Sequence, residues 1–385
     1  MKGFINVMRR EFGIIRRNPV YLLGSVGVMV ASCLFYLTFF KAGLPDSLPI
    51  GVVDNDNTSL SRNFCQQLDA TQLGKVIYFD DFESARDAMQ TGRVTSLCVI
   101  PEHMSEDVYA NRRPVFTYYV NSLYMIGGAL SYKDILTMVT LTGGAVQREV
   151  LRAKGYSEGQ IMGLIQPIVV DEHKIGNSTT NYGVYLNNII LPGLLQLSII
   201  FVLIYALGSE LRYKTSKKLM EEAEGSIMAA VLGKLAPYML IYTFLGLGLD
   251  FLMFGVCGYP LAGNIGNMML GILALVLSSA AVAVGLVSLF PILRYALSLA
   301  ALFTILAFSF SGFTFPVEAM PAALQGISVI FPLRFYYLFY VQEAIFGTGI
   351  GGWWQYIVCM LLFLVIPILT SGRLKKAYVN QNYQL

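Results

Sequence analysis

The residue types that most often do chemistry are sparse in this chain, and they do not form a recognisable catalytic group. The only two histidines, His103 and His173, are far apart and lack the short spacing of a zinc-binding pair. Asp54-Asn55-Asp56 resembles the start of a calcium loop, but the glycine and distal glutamate of that loop are missing. No sequence typical of a serine nucleophile is present. We therefore expect no catalytic, metal or cofactor-binding residues in this chain.

A phosphate-binding loop for ATP is missing as well. The nearest candidate, residues 225–234, ends in Gly233-Lys234-Leu235 and lacks both the glycine spacing and the Ser or Thr that follow in such loops. If the protein uses ATP, we expect ATP and Mg²⁺ to bind to a separate ATPase subunit.

Asp250 is the one charged residue that lies clearly inside an apolar segment. A carboxylate within a membrane is costly and commonly marks a pathway or a helix contact. The alternative is a side chain that snorkels toward the outer interface. Chains of acidic groups, which would indicate an ion-driven transporter, do not occur.

The elements that position these residues are six apolar segments. About 20 apolar residues are needed to cross the hydrocarbon core of a bilayer. Hydrophobic residues make up 55% of the chain and charged residues 13%, and the mean hydropathy is +0.59, which excludes an ordinary soluble domain. The segments are residues 20–40 and stretches centred near Ile199, Leu247, Ala281, Ala307 and Leu364.

These segments predict a polytopic α-helical membrane protein with one span, an inserted extracytoplasmic α/β domain and five further spans. The expected parts are an interfacial helix at 1–18, a transmembrane helix at 19–41, the inserted domain at 42–183, spans two to six within 184–372 and a tail at 373–385. Within the second half we expect a coupling loop at 209–234 and a re-entrant segment at 315–352.

The distribution of charge predicts the orientation. Basic residues in short loops resist translocation, and they cluster in the N-terminal segment, in the loop between spans two and three and in the tail. Residues 42–183 contain 11 basic and 16 acidic residues, a net charge of −5, whereas the whole chain is at +3. We therefore expect both termini in the cytoplasm and the inserted domain outside.

The inserted domain begins with alternating strand and helix patterns. Strands are predicted at 49–53, 75–79, 96–100 and 115–120, and helices at 59–68 and 84–91. Thr58 or Ser59, and Asp81, are placed to cap these helices. Helices at 122–154 and 157–165 follow. Cys65 and Cys98 share the domain, and either a disulfide or two buried thiols would fit its composition.

Two further segments have the pattern of membrane-surface helices. In residues 1–17, Phe4, Val7, Met8, Phe12 and Ile15 form one helical stripe with the arginines off it. Residues 210–234 alternate charged residues with Leu219, Met220 and Ile227, which suits docking of a partner. The alternative is a solvated loop whose lysines only determine the orientation of the chain in the membrane.

The chain resembles the membrane subunits of ATP-binding-cassette exporters of the type-2 permease class. The resemblance covers essentially the whole chain and is strongest in Ser311-Gly312-Phe313-Thr314-Phe315-Pro316-Val317-Glu318-Ala319-Met320-Pro321, followed by Phe331-Pro332-Leu333-Arg334. It also rests on the Glu210/Thr215/Leu219 pattern that ends in Gly233-Lys234. Lys214 departs from the family pattern, in which a glycine commonly precedes the threonine.

The resemblance implies a complex of two permease subunits and two ATPases in a bacterial inner membrane. The second permease is a copy of this chain or a related one, and a periplasmic adaptor is left open; nucleic acid is not an expected partner. The residues expected to couple to the ATPase are Arg9, Arg10, Glu210, Arg212, Thr215, Leu219, Met220, Glu221, Gly233 and Lys234. Those expected to form an outer gate of re-entrant helices are Phe315, Pro316, Met320, Pro321, Pro332 and Arg334.

We therefore expect a permease that exports an amphipathic or hydrophobic substrate, either drug-like or lipid-like. The few charges and many aromatic residues of the spans favour such a substrate over a sugar or an ion. A membrane receptor or an envelope-assembly scaffold with a ligand-binding outer domain is the alternative, and a neighbouring ATPase gene would distinguish the two.

Overall fold

The computed structural model describes residues 2–72, 74–110, 112–121, 123 and 125–381, and the chain divides into two compact units. The membrane unit comprises Met1–Lys41 and Lys174–Leu385, and the inserted unit is Ala42–His173. The inserted unit is thus shorter than the sequence pattern suggested. Residues 174–183 belong to the membrane unit, where Gly176 packs against Ile345 and the ring of Tyr182 lies 5.4 Å from that of Phe40.

Among the described residues, six helices are long and apolar enough to cross a membrane. We number them spans one to six: Pro19–Phe39, Tyr182–Arg212, Ile227–Val256, Ile265–Leu289, Leu293–Phe310 and Ile350–Asn380. Two shorter helices, Ala322–Ser328 and Pro332–Ile345, meet at 89° and are together long and apolar enough to cross a membrane. By length and composition the number of crossings is therefore six or seven.

Spans two and four form the centre of the membrane unit. In their most apolar 18-residue stretches, 72% and 78% of the residues are buried, whereas in those of the other four spans 17–28% are buried. Small residues permit this packing, because a Cβ at Gly271 would collide with Phe339 and one at Gly285 would lie 2.5 Å from Ile366. Spans one, three, five and six leave most of their apolar surface free for lipid or for another subunit.

Two further α-helices belong to the described part of the membrane unit. The N-terminal helix is Lys2–Arg17, and a short helix, Ser216–Glu222, lies between spans two and three. Span three changes to π-helical turns at Phe251–Val256, and span six consists of Ile350–Leu362 and Val365–Asn380.

The inserted unit contains a four-stranded sheet in the order β2-β1-β3-β4. The strands are β1 Leu48–Asp54, β2 Gly74–Tyr78, β3 Ser96–Ile100 and β4 Thr117–Val120. β1 pairs in parallel with β2 and β3, and β4 pairs antiparallel with β3. The helices are Ser59–Asp69, Phe82–Gln90, Met104–Tyr109, Met125–Ala153 and Glu158–Ile165.

Local signals account for much of this unit. Thr58 and Asp81 cap the first two helices by accepting hydrogen bonds from backbone N–H groups, as their positions predicted. The centre of β1 is apolar and buried on both faces, which is typical of a central parallel strand. The helix Met104–Tyr109 was not predicted from the sequence.

Cys65 and Cys98 are free and fully buried in one apolar cluster of the inserted unit. The disulfide alternative is therefore wrong for this structure, and the buried-thiol alternative describes it. Burial raises the pKa of Cys65 to about 11 and also raises that of Cys98, which makes both thiols poor nucleophiles.

Candidate functional site

Four charged side chains from three distant parts of the chain form a buried charge cluster: Arg10, Glu11, Glu210 and Lys234. Arg10 donates two hydrogen bonds to Glu210, of 2.8 and 3.1 Å. The Nζ of Lys234 lies 2.6 Å from Oε2 of Glu11 and 2.8 Å from Oε1 of Glu210. Each carboxylate is therefore bound by at least one cation.

Hydroxyl groups occupy further acceptor positions of the two carboxylates. The hydroxyl of Tyr238 donates to Oε1 of Glu11 at 2.7 Å, and that of Thr215 donates to Oε2 of Glu210. Buried charges are tolerated only when they are paired and hydrogen-bonded, and this cluster meets both conditions. Two acids and two bases also make the four side chains neutral together.

Removing one partner of such a cluster is costly. Glu11, Glu210 and Lys234 are 0%, 2% and 1% exposed, so an uncompensated charge left behind has no access to water. Breaking a buried ion pair in this way typically costs about 3–5 kcal/mol. The cluster therefore fixes the relative positions of the helices that supply it.

Arg10 connects the cluster to the rim of the site. Burial acts against its charge, but the hydrogen bonds and negative charge of Glu210 outweigh burial and raise the pKa of Arg10 above its usual value. Its Nε also lies 3.4 Å from Oε2 of Glu222, which is partly exposed at the end of the short helix. Arg10 thus remains charged and joins the N-terminal helix to both span two and the short helix.

Close packing of glycines brings the N-terminal helix into this position. Gly3, Val7, Glu11 and Ile15 form its buried stripe. A Cβ at Gly233 would lie 2.7 Å from the carbonyl oxygen of Phe4, and one at Gly3 would lie 2.8 Å from the backbone of Ala223. The helix therefore packs on span three and the short helix, and it does not lie on lipid alone.

The short helix Ser216–Glu222 has one buried side and one exposed side. Leu219 and Met220 are buried, as their apolar spacing predicted. Ser216 donates a hydrogen bond of 2.8 Å to the carbonyl oxygen of Tyr378 in span six. Exposed charged residues at this end of the unit include Arg9, Arg212, Lys217, Lys218 and Glu221.

Lys214 begins the turn before this helix in the left-handed conformation, with φ of 57°. Glycine adopts that conformation at little cost, which is the physical reason for a glycine at this point of the family pattern. The lysine leaves the turn intact: the N–H of Thr215 still reaches the carbonyl oxygen of Glu210 at 2.9 Å.

Two expectations about this region are corrected by the structure. Residues 209–234 are not one surface loop, because span two continues to Arg212 and span three already begins at Ile227. Glu210, Gly233 and Lys234 thus lie within span helices. Glu210 is buried, so it does not lie on the surface as the membrane-surface pattern of residues 210–234 suggested.

Of the residues predicted to couple to an ATPase, the structure brings Arg10, Glu210, Thr215 and Lys234 into one cluster and leaves others on the surface. Sequence reasoning missed Glu11 and Tyr238. Glu11 had a signal: it continues the stripe of Gly3 and Val7 at four-residue spacing, so it is an acid on the buried face of a helix. Tyr238 lies one turn after Lys234 and had no such signal.

The predicted re-entrant segment contains the two helices that meet at 89°, which is the geometry of a broken span or a re-entrant loop. Phe331, at the bend, stacks on Phe310 at 5.3 Å and is 5.0 Å from Phe303 of span five. Arg334 lies 3.4 Å from Glu318. Pro332 is buried at the start of its helix, Met320 is half-buried, and Phe315, Pro316 and Pro321 are exposed.

Asp250 is fully buried at the junction of span three with its π-helical turns. Within the part of the chain that the structure describes, neither of its carboxylate oxygens has a hydrogen-bond partner. The snorkelling alternative is therefore wrong, since the carboxylate does not reach the surface. Its role as a point on a pathway stays a prediction.

A comparison with protein families gives the class of the protein. Residues 20–373 match the model of the ABC-2 family transporter proteins. The match covers nearly the whole chain, and the chain belongs to this family. It is a multi-pass membrane protein and a permease component, not an ATPase. No curated protein matches the chain.

Proposed function

We propose that this chain is the permease subunit of an ATP-driven exporter, and that the charge cluster transmits motion from a separate ATPase to the spans. The cluster carries the proposal, because it joins the N-terminal helix, span two and span three at the end where the short helix Ser216–Glu222 presents exposed charges. In this proposal, a displacement of the short helix is transmitted through these contacts to the N-terminal helix, span two and span three.

The same end of the membrane unit is the cytoplasmic one in this proposal. Lys217, Lys218 and the basic residues of the N-terminal helix flank it, in keeping with the preference of Lys and Arg for the cytoplasmic side. The inserted unit and the segment 315–352 then face outward from a bacterial inner membrane. Phe315, Pro316, Met320, Pro321, Pro332 and Arg334 would form part of the outer gate.

The working complex contains two permeases and two ATPases, and ATP and Mg²⁺ bind to the ATPases. The exposed residues Arg9, Arg212, Lys217, Lys218 and Glu221 would contact the ATPase directly. The buried residues Leu219 and Met220 would carry the contact into the membrane unit. The second permease is a copy of this chain or a relative, and a periplasmic adaptor is a further candidate partner.

The substrate is an amphipathic or hydrophobic molecule taken from the cytoplasm or the inner leaflet. An apolar recess of about 330 Å³ supports this class. It lies between spans three, four and six and is lined by residues such as Leu235, Ala281 and Leu374. Drug-sized ligands occupy recesses of this size and character.

The test is reconstitution with and without an ABC ATPase subunit. We expect the purified chain alone to hydrolyse no ATP, and the complex in proteoliposomes to couple hydrolysis to export of a fluorescent amphiphile. Lys217→Glu/Lys218→Glu should weaken assembly with the ATPase, whereas Lys75→Glu in the inserted unit should not. ATP hydrolysis by the chain alone, or full transport without an ATPase, would refute the proposal.

A further inference from the structure

The inserted unit contains an apolar groove beneath its longest helix. The groove has a volume of about 240 Å³. It lies between the helices Ser59–Asp69, Met104–Tyr109 and Met125–Ala153 and the chain that leads into β4. Its walls include Leu60, Phe64, Val108, Phe116, Val139 and Val146. These side chains offer a surface for a hydrocarbon chain and no hydrogen bonds to a polar ligand.

A second, basic recess of about 550 Å³ adjoins the groove. The two share Val108, Arg113 and Gly143, and the second adds Arg112, Gln147 and Lys154. Arg112 is bound to Asp107 at 2.6 Å. Arg113 and Lys154 have no acidic partner within 4 Å among the described residues, so their charges are available to an anion.

Gly143 keeps the junction between the two recesses open. It lies inside the helix Met125–Ala153, where glycine is about 1 kcal/mol less favourable than alanine. A Cβ at this position would meet nothing within 4 Å, so helix packing does not require a glycine here. The missing side chain leaves free space at one of the three residues that both recesses share.

We propose that these two recesses form one binding site for a single-chain amphiphile with an anionic head group, such as a carboxylate or a phosphate monoester. The hydrocarbon chain occupies the apolar groove, and the head group lies between Arg113 and Lys154. The ligand is a detached molecule and not the bilayer surface, because the groove is bounded by three helices and continues into one basic recess, which suits one chain with one head group. The site goes beyond the proposed transport function and does not depend on it.

The test uses the full-length chain in lipid nanodiscs and a diazirine-bearing palmitate as a photoreactive probe. We expect cross-links in the helices Ser59–Asp69 and Met125–Ala153, located by mass spectrometry of the peptides. Gly143→Leu fills the junction and should weaken labelling about tenfold, which corresponds to about 1.4 kcal/mol. Gly163→Leu is the matched control, since its Cβ also meets nothing within 4 Å and it lines neither recess.

The charge of the head group is tested separately. Arg113→Glu/Lys154→Glu should also weaken labelling by about tenfold. Lys75→Glu/Arg93→Glu, a reversal of two other exposed charges of the unit, should leave it unchanged. The methyl ester of the probe should label the wild type as weakly as the acid labels the double variant.

Labelling that Gly143→Leu does not reduce would overturn the site. Equal labelling by the acid and its methyl ester would overturn the anionic head group. Both readouts are independent of ATP, so a failure of the transport proposal would leave this result unchanged, and the converse also holds.

Discussion

Glu210 accepts hydrogen bonds from Arg10, Lys234 and Thr215 and is only 2% exposed. Its first role is therefore to stabilise the folded membrane unit. We expect Glu210→Ala to destabilise the membrane unit by about 3–5 kcal/mol, because Arg10 and Lys234 lose their shared carboxylate. Glu221→Ala, on the exposed side of the short helix, should change stability by less than about 0.5 kcal/mol. Thermal unfolding in detergent measures both, and equal melting temperatures for the two variants would contradict the cluster.

The pair of Glu11 and Lys234 is suited to a double-mutant cycle. Glu11→Gln and Lys234→Met each leave a partner charge without its full compensation. The double variant should therefore be less destabilised than the sum of the single variants, with a coupling of about 1–3 kcal/mol. Additive effects would show that the ion pair contributes nothing beyond its separate side chains. Parallel measurement of complex assembly with the ATPase separates folding from coupling.

The environment of Asp56 predicts how the stability of the inserted unit changes in acid. Its burial favours the neutral acid, but hydrogen bonds from Ser105 and Thr58 outweigh burial and lower its pKa below the usual 3.8. A carboxyl whose pKa is lower in the folded state stabilises above its unfolded pKa, and that contribution is lost as pH falls through the folded pKa. Below about pH 4, the stability advantage of the wild type over Asp56→Asn should shrink. Circular dichroism melts over a pH series test this, and a constant difference would contradict it.

At the scale of a single helix, two close glycine contacts hold the N-terminal helix in place. Gly3→Val and Gly233→Val should displace this helix, because their side chains would overlap the backbone of Ala223 and of Phe4. Gly13→Ala is the matched control in the same helix. Its Cβ meets nothing within 4 Å, and helix propensity favours alanine by about 1 kcal/mol.

Tryptic cleavage after Arg16 or Arg17 measures the attachment of this helix. We expect faster cleavage in the two valine variants and unchanged or slower cleavage in Gly13→Ala. Equal cleavage rates in all three variants would show that the helix is held by lipid and not by the close contacts.

Orientation is the property of the whole molecule that the charge distribution predicts most directly. In a background without native cysteines, Lys75→Cys should react with a membrane-impermeant maleimide in intact spheroplasts. Lys217→Cys and Lys376→Cys should react only after the membrane is opened. Labelling of position 217 in intact spheroplasts would refute both the orientation and the docking surface placed at the short helix.

Local pattern determined much of the architecture. The strands at 49–53, 75–79 and 96–100 lie within a residue or two of β1, β2 and β3, because short apolar runs between caps and turns have few alternatives. The apolar segments were equally visible, since crossing a bilayer requires a run of hydrophobic residues at any position in the chain. The short helix Met104–Tyr109 was missed because it spans less than two turns and has no capping side chain.

The tertiary structure decided which charges are paired. Glu11 and Lys234 are separated by 223 residues, and no local spacing indicates that their two side chains pair with each other. Only the close packing at Gly3 and Gly233 brings the two side chains together in a buried site, where an unpaired charge would be costly. Likewise, the sequence shows Gly143 only as a residue that lowers helix stability. The tertiary structure shows that it lines both recesses. The sequence by itself determined the strands and the apolar segments, because these depend on the local hydrophobic pattern. The pairing of buried charges was decided by the tertiary structure, because it depends on contacts between residues that are distant in the chain.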